Sequence, residues 1–368
     1  DDPNEWQAWH EAGLPFVAAA EAAVGGNIDY AVSHAGENAF PRTFQLLGDN
    51  GVLAFYGASS GYRFTFLGKP GASSPATMFR RAGLRPGQTI LIVYGPGAED
   101  GIVDNVAIEA IEVACQNGGQ VAVLVDTIAQ REFVSSLGFG PRVRGVVSIE
   151  EIAKRLGDDF MPPGPFPGIP DPFTESLAFR EAVREFSDKT LKPIGSAIAP
   201  ALRNTLDKRG LPDIVFERRG RDGLALASAL VKPNTGRVVY AEDLEGQCFS
   251  FYAPQVWTRQ RRVLMPTAEI RGTHLNTSRE FAEMQEQIAS GLLAVLPPTP
   301  VTMEELPEAH QAMWENRHQG ANYVAVHALP REGLKTKDEL YRAWALRDAA
   351  ERGEQITQVE TGSAGALR

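Results

Sequence analysis

The stretch Asp29-Tyr30-Ala31-Val32-Ser33-His34-Ala35-Gly36 returns later in the chain as Asp213-Ile214-Val215-Phe216-Glu217-Arg218-Arg219-Gly220. The segments downstream of it return too. Gly51-Val52-Leu53-Ala54-Phe55-Tyr56 and Gly61-Tyr62-Arg63-Phe64-Thr65-Phe66 are echoed by Gly236-Arg237-Val238-Val239-Tyr240-Ala241 and Gly246-Gln247-Cys248-Phe249-Ser250-Phe251. Each copy reads as a buried strand, a polar glycine turn, a helix, a second strand and a glycine-bearing loop. That order is the back half of a dinucleotide-binding α/β unit. The period is too long for a solenoid, so the expected fold class is α/β, with two Rossmann-like parallel-sheet lobes in one chain.

The copies differ at their fronts. Copy two is preceded by a strand over residues 88–93, the loop Gly95-Pro96-Gly97-Ala98-Glu99-Asp100-Gly101, a helix over about 103–117 and a strand over 120–125. Copy one has no such front half, and a two-stranded sheet buries too little apolar surface to stand alone. The expectation is that residues 1–66 are the C-terminal half of a cofactor-binding lobe, completed by an upstream segment that carries its first strand and glycine loop. Residues 67–83 then form a Gly/Pro/Ser-rich connector and 84–275 a second, degenerate lobe. Residues 276–330 read as a further segment returning to an upstream lobe, and 331–368 as a charged helical tail.

Within this frame, helices are expected over 39–47, 76–82, 175–186, 197–208, 223–230 and 303–315. Strands are expected over 27–33, 51–57, 212–217, 236–241, 262–270 and 322–328. An amphipathic helix carries Phe281, Met284, Ile288 and Leu292.

Composition narrows the function class. Hydrophobic content of 43% and charged content of 22% are ordinary for a globular enzyme. The net charge of −10 argues against a nucleic-acid partner, and no apolar run reaches the length of a membrane span. Cys115 and Cys248 have no metal-ligand spacing, which points to a reducing cytoplasmic setting rather than a disulfide framework or zinc site.

Two loops are candidates for a cofactor. Residues 95–101 have glycines spaced for close backbone approach to a pyrophosphate, and Asp126 stands where a ribose diol binds. Glu99 and Asp100, however, put negative charge where phosphates would sit, so a plain strand-to-helix turn is the preferred reading. The loop of copy one, Gly57-Ala58-Ser59-Ser60-Gly61-Tyr62, is small and neutral and suits contact with a flat nicotinamide ring. Its counterpart in copy two, Glu242-Asp243-Leu244-Glu245-Gly246-Gln247, holds three acidic residues. His34 ends the preceding strand at the carboxyl edge of the sheet, where ligands bind in such folds; it either lines the active site or is a satisfied polar group. Arg80, Arg81 and Arg85, and Arg259, Arg261 and Arg262, read as solvated patches before phosphate sites. His274 either reaches a cofactor or anchors a loop, and His310 and Met313 read as packing residues.

The combination Asp29…His34-Ala35-Gly36-Glu37…Phe40-Pro41 with Gly51-Val52-Leu53…Ser60-Gly61-Tyr62 resembles the medium-chain reductases that act on enoyl-CoA thioesters. Crotonyl-CoA carboxylase/reductases and the C-terminal reductase domains of multidomain propionyl-CoA synthases are the groups it is most similar to. Arg271-Gly272-Thr273-His274, Glu280…Ile288…Gly291 and Ala309-His310…Met313…Gly320…Val324 look like the C-terminal segment of these reductases. The resemblance implies a medium-chain reductase fold and NADPH-dependent reduction of a 2-enoyl-CoA, acrylyl-CoA giving propionyl-CoA. Hydride goes to Cβ and the enolate is protonated at Cα; carboxylating relatives trap the enolate with CO2 using a histidine that matches His34. It also implies an acyl-CoA substrate, upstream domains of the same polypeptide and a homodimer. Copy two is expected to act as a built-in dimer partner that extends the sheet of copy one. Alternatives are a non-catalytic scaffold lobe and a quinone or aldehyde reductase.

Overall fold

The computed structural model describes residues 3–58, 60–96, 101–166, 176–203, 210–273, 278–293, 299–315, 317–318 and 323–325. Two compact units divide the chain after Leu275.

In the first unit, copy one consists of α1 (Pro3–Val24), β1 (Tyr30–Ser33), α2 (Phe40–Gln45), β2 (Gly51–Phe55) and β3 (Arg63–Leu67). The connector leads into α3 (Pro75–Ala82), which Ser74 caps by accepting from the Thr77 N–H and Gly83 ends with φ 67°. The front half of copy two continues as β4 (Thr89–Val93), α4 (Asn105–Gln116) and β5 (Gln120–Val125). Next come α5 (Ile128–Ser136), β6 (Val143–Ser148) and α6 (Ile149–Leu156). Thr127 and Gln130 close a capping box on α5. Then α7 (Ser176–Phe186) runs through a π-helical turn into α8 (Lys192–Leu202). The back half comprises β7 (Ile214–Glu217), α9 (Arg221–Leu230), β8 (Arg237–Val239), β9 (Cys248–Tyr252), α10 (Ala253–Trp257), β10 (Arg262–Leu264) and β11 (Ala268–Gly272).

These strands build one nine-stranded sheet in the order β1-β2-β11-β10-β8-β7-β4-β5-β6. Every neighbouring pair is parallel except β10–β11. The fold is therefore α/β, as expected from the repeat. The single strand expected over 262–270 is instead two strands. Pro266 lacks the N–H a central strand needs, the Met265 N–H turns back to the Ala268 carbonyl, and the chain reverses. The consequence is large: β10 completes copy two, whereas β11 lies parallel to β2 and joins copy one.

A second antiparallel pair repeats the relation off the main sheet. β3 of copy one pairs with β9 of copy two, and Thr65 faces its own repeat counterpart Ser250. Phe64 faces Phe251 and Phe66 faces Phe249, so the contact is reciprocal, as across a two-fold axis. Cys248, expected in a loop, opens β9. One face of the sheet buries a core shared by both copies, including Phe40, Phe55, Phe66, Leu224, Phe249 and Ile270. The core on the other face draws only on residues from Met78 onward, among them Phe79, Ala107, Ile111, Ile214 and Phe216.

The second unit contains α11 (Ser278–Ala289), β12 (Thr299–Val301), α12 (Leu306–Trp314) and β13 (Tyr323–Ala325), with β12 and β13 parallel. His310 and Met313 do not pack as expected: both are exposed, and Ala309 is the buried residue of that helix. The expected charged helical tail over 331–368 and His274 lie outside the described residues. No helix among the described residues is long and apolar enough to cross a membrane, and no group of metal-ligating side chains occurs among them.

Candidate functional site

The parallel strands β1, β2 and β11 end at the same side of the sheet, and the residues that directly follow them, His34, Tyr56 and Thr273, lie there. His34 comes directly after β1 and is exposed, with its ring tilted against Tyr56 at a centroid distance of 5.1 Å. Tyr56 comes directly after β2, is 47% exposed, and its N–H donates to the Ser33 carbonyl. Thr273, at the end of β11, donates both its N–H and its hydroxyl to the Phe55 carbonyl. An imidazole, a phenol ring and a small-residue loop thus share one rim.

The loop itself is locked onto the segment after β1. The Ser60 hydroxyl donates to the Ala35 carbonyl at 2.7 Å and accepts from the Asn38 N–H, while the Ser60 N–H also donates to Ala35. Gly57 has φ 72°, and a Cβ there would come within 3.2 Å of the His34 ring. At Gly61, φ is 133° and an added Cβ would strike the Glu37 carboxylate at 2.2 Å. That carboxylate accepts from the Arg63 N–H and is tied back beside the loop. Ala58 is buried and Tyr62 half-buried. Of the residues singled out in the sequence, the structure therefore brings together His34, Gly57, Ala58, Ser60 and Gly61, whereas the Tyr62 ring packs on Phe179, Tyr252 and Trp257. Ser59 lies outside the described residues. Tyr56 and Thr273 join the rim without having stood out in the sequence; both come directly after strands that the repeat pattern and the arginine-glycine motif delimit, which was the available signal.

The equivalent rim of copy two is filled by its own charges. Arg218, the counterpart of His34, donates to both oxygens of Asp104 and pairs with Glu242 at 3.0 Å. Asp104 is 5% exposed and also accepts from the Gly95 N–H and, as the cap of α4, from the Ala107 N–H. The two positions a phosphate would use, the glycine-loop N–H and the helix start, are thus already taken by a carboxylate. A Cβ at Gly95 would lie 2.6 Å from Asp104 Oδ2, so this glycine serves the internal contact. Glu99 and Asp100 lie outside the described residues. The residue that closes the loop is Asp104, which no sequence motif singles out.

Three carboxyls around this rim are held above their ordinary range. Burial is the leading cause for Glu217, raised to about 8, and for Asp126 and Glu242, raised in spite of Arg219 and Arg218 respectively. Glu217 is fully buried; one oxygen accepts from the Arg219 N–H at 2.6 Å and the other has no partner among the described residues. One arginine of the first cluster and two of the second are tied into the fold, while Arg80, Arg85 and Arg259 are exposed. Arg81 donates to the Met265 and Pro266 carbonyls, Arg261 to the Gln255 and Ala229 carbonyls, and Arg262 pairs with Glu269.

No protein-family model matches the chain. Over 260 residues it is 24% identical to the crotonyl-CoA carboxylase/reductase of Cereibacter sphaeroides, covering 71% of this chain and 51% of that protein. The chain thus spans about half the length of this curated relative. Among solved structures it is similar to the crotonyl-CoA carboxylase/reductase AntE in complex with NADP, with 22% identity, a TM-score of 0.37, and coverage of 69% of this chain and 55% of that one. It is also similar to the 2-octenoyl-CoA carboxylase reductase CinF in complex with NADP and 2-octenoyl-CoA, with 19% identity, a TM-score of 0.32, and coverage of 74% and 52%.

Proposed function

We propose that this chain is part of an NADPH-dependent reductase of 2-enoyl-CoA thioesters, and that copy one is its nicotinamide-binding lobe. The observation that carries the reading is the contrast between the rims. At equivalent positions copy one presents a neutral, small-residue loop beside an exposed imidazole, and copy two a closed arginine–carboxylate network. The sequence likeness to a crotonyl-CoA carboxylase/reductase supports the substrate class.

The residues of copy one fit the nicotinamide end of the cofactor. Gly57, Ala58, Ser60 and Gly61 present small side chains or none, with the Gly61 N–H donating to the Ala58 carbonyl, and the Glu37 carboxylate against Gly61 accepts from the Arg63 N–H. When bound, NADPH would supply a hydride to Cβ of the thioester. His34, tilted by Tyr56, stands at the rim where it holds a proton or a carbonyl oxygen near the Cα enolate. Its place there, and the carboxylating relatives, favour a second reading in which the enolate is trapped by CO2.

The narrower reading is reduction of acrylyl-CoA to propionyl-CoA in the reductase portion of a propionyl-CoA synthase, with upstream domains on the same polypeptide and a homodimeric assembly. Copy two then serves as a dimer partner in cis. The β10–β11 and β3–β9 contacts, which join equivalent segments antiparallel, support this role.

The test is NADPH oxidation by the complete polypeptide with acrylyl-CoA, crotonyl-CoA or a free quinone, each with and without bicarbonate. Turnover with the thioesters alone, and loss of it in His34→Ala, is the expected result. Bicarbonate-dependent turnover selects the carboxylating reading. Turnover of the quinone only would overturn both.

A further inference from the structure

Away from the rim, copy one opens a second recess. A cleft of about 280 Å³ lies between α1, α2, the end of β3 and the loop of copy two that carries Glu245 and Gly246. Small-molecule sites run from roughly 300 to 1,000 Å³, so this volume suits one small ligand and not a dinucleotide or an acyl-CoA. Asp49 lines the cleft and precedes β2, whereas Tyr56 follows that five-residue strand. At about 3.3 Å per residue, the strand sets the cleft roughly 17 Å from the rim.

Bonds within the fold fix its walls. The Arg42 guanidinium lies 3.8 Å over the Trp9 ring and donates to the Trp9 carbonyl, and Gln45 donates to the His10 carbonyl at 2.9 Å, so α1 is clamped to α2. Across the seam between the copies, the Gly68 N–H donates to the Gln247 carbonyl at 2.8 Å. A Cβ on Gly68 would lie 2.0 Å from the Leu244 carbonyl oxygen, so glycine is what lets copy one approach the Glu245 loop this closely. Pro41, Phe44 and Leu67 add apolar surface beside Trp9.

The charged groups of the cleft are segregated. Lys69 is half-buried, with Nζ 5.9 Å from the centroid of the Phe44 ring. Its ammonium donates to the Gln45 and Leu47 carbonyls, two of the three bonds it can make. Burial lowers its pKa in spite of the fields of Asp49 and Glu21. Asp49 and Glu245 are exposed, and neither carboxylate accepts a hydrogen bond or closes an ion pair among the described residues. We propose that this cleft binds an α-amino acid with an apolar side chain: its carboxylate accepts from Lys69, its ammonium donates to Asp49 and Glu245, and its side chain lies against Phe44 and Leu67. Asp49 is near enough for its field to act on Lys69, which matches an ammonium and a carboxylate borne on one carbon. A simple carboxylic acid answers Lys69 but adds a third negative charge, and a simple amine sets a second cation against Lys69. The occupant bridges Lys69 of copy one and Glu245 of copy two.

The probe is L-phenylalanine, titrated into the 368-residue protein while the amide chemical shifts of Gly68, Lys69 and Gly246 are followed. The expected result is saturation with a dissociation constant at or below about 1 mM. 3-Phenylpropanoate, which lacks the ammonium, and 2-phenylethylamine, which lacks the carboxylate, are each expected to bind at least about tenfold more weakly. Lys69→Met is expected to remove the preference for phenylalanine over the amine. The double variant Asp49→Asn, Glu245→Gln changes only exposed side chains and is expected to remove the preference over the acid. Three outcomes overturn the proposal: shifts that do not saturate at millimolar phenylalanine, 3-phenylpropanoate binding as tightly as phenylalanine, or both preferences surviving in the variants. None of these readouts uses NADPH or a thioester, so failure here is separable from failure of the reductase reading.

Discussion

His34 and Arg218 occupy the same step of the repeated unit, and the difference between them sets the chemistry of each rim. Arg218 is bound by Asp104 and Glu242, both largely buried, so removing the guanidinium strands two carboxylates. Arg218→Ala is expected to cost about 3–5 kcal/mol in a urea titration, without changing NADPH affinity. Gly61→Ala is expected to do the reverse. Its methyl group would meet the Glu37 carboxylate in a backbone conformation unfavourable for alanine, and NADPH binding falls at least about tenfold while the fold persists by circular dichroism. Unchanged affinity would show that the loop does not touch the cofactor. Glu217 gives a pH signature. Its unfolded-state value is 4.5 and its folded value about 8, so between these limits the unfolded state binds fewer protons. Stability therefore falls as pH rises from about 4.5 to 8 and levels above it. Glu217→Gln, measured by thermal melts across this range, flattens that fall and raises stability near neutral pH by about 1–3 kcal/mol.

At the scale of elements, the repeat made the strands of both copies legible, because Ile214–Glu217 and Gly51–Phe55 are short apolar runs between turn signals. Partnership was not legible in the same way. Nothing local in Ala268–Gly272 says that it runs beside β2 and away from the copy that precedes it; Pro266 marks a break, and only the three-dimensional register assigns the strand. The closure of the second rim was hidden for the same reason. Asp104, Arg218 and Glu242 are far apart in sequence, and the adjacent acidic pair Glu99–Asp100 is a stronger local signal than the carboxylate that caps α4. Packing between the copies carries a prediction of its own. Phe66 stacks on Phe249 at 4.9 Å and also meets Phe40, Phe44 and Phe251. Phe66→Ala is expected to cost about 3–5 kcal/mol in a urea titration, with both copies destabilised together.

Across the first compact unit, two incomplete symmetries coincide. The sheet joins copy one to copy two through an antiparallel seam, and the core on one face is common to both. The other face is closed only over copy two. On the proposed reading copy two holds no cofactor: its rim charges pair with one another, and its strands extend the sheet through β10 to β11 and, through β11, to the strand that precedes Tyr56. If a dinucleotide contacts the rim of copy one and leaves that of copy two untouched, amide exchange with and without NADPH reads it out. Protection is expected at His34 and residues 56–62, with no change at Tyr94, Gly95 and residues 101–107. Protection confined to Tyr94, Gly95 and residues 101–107 would assign the cofactor to copy two instead.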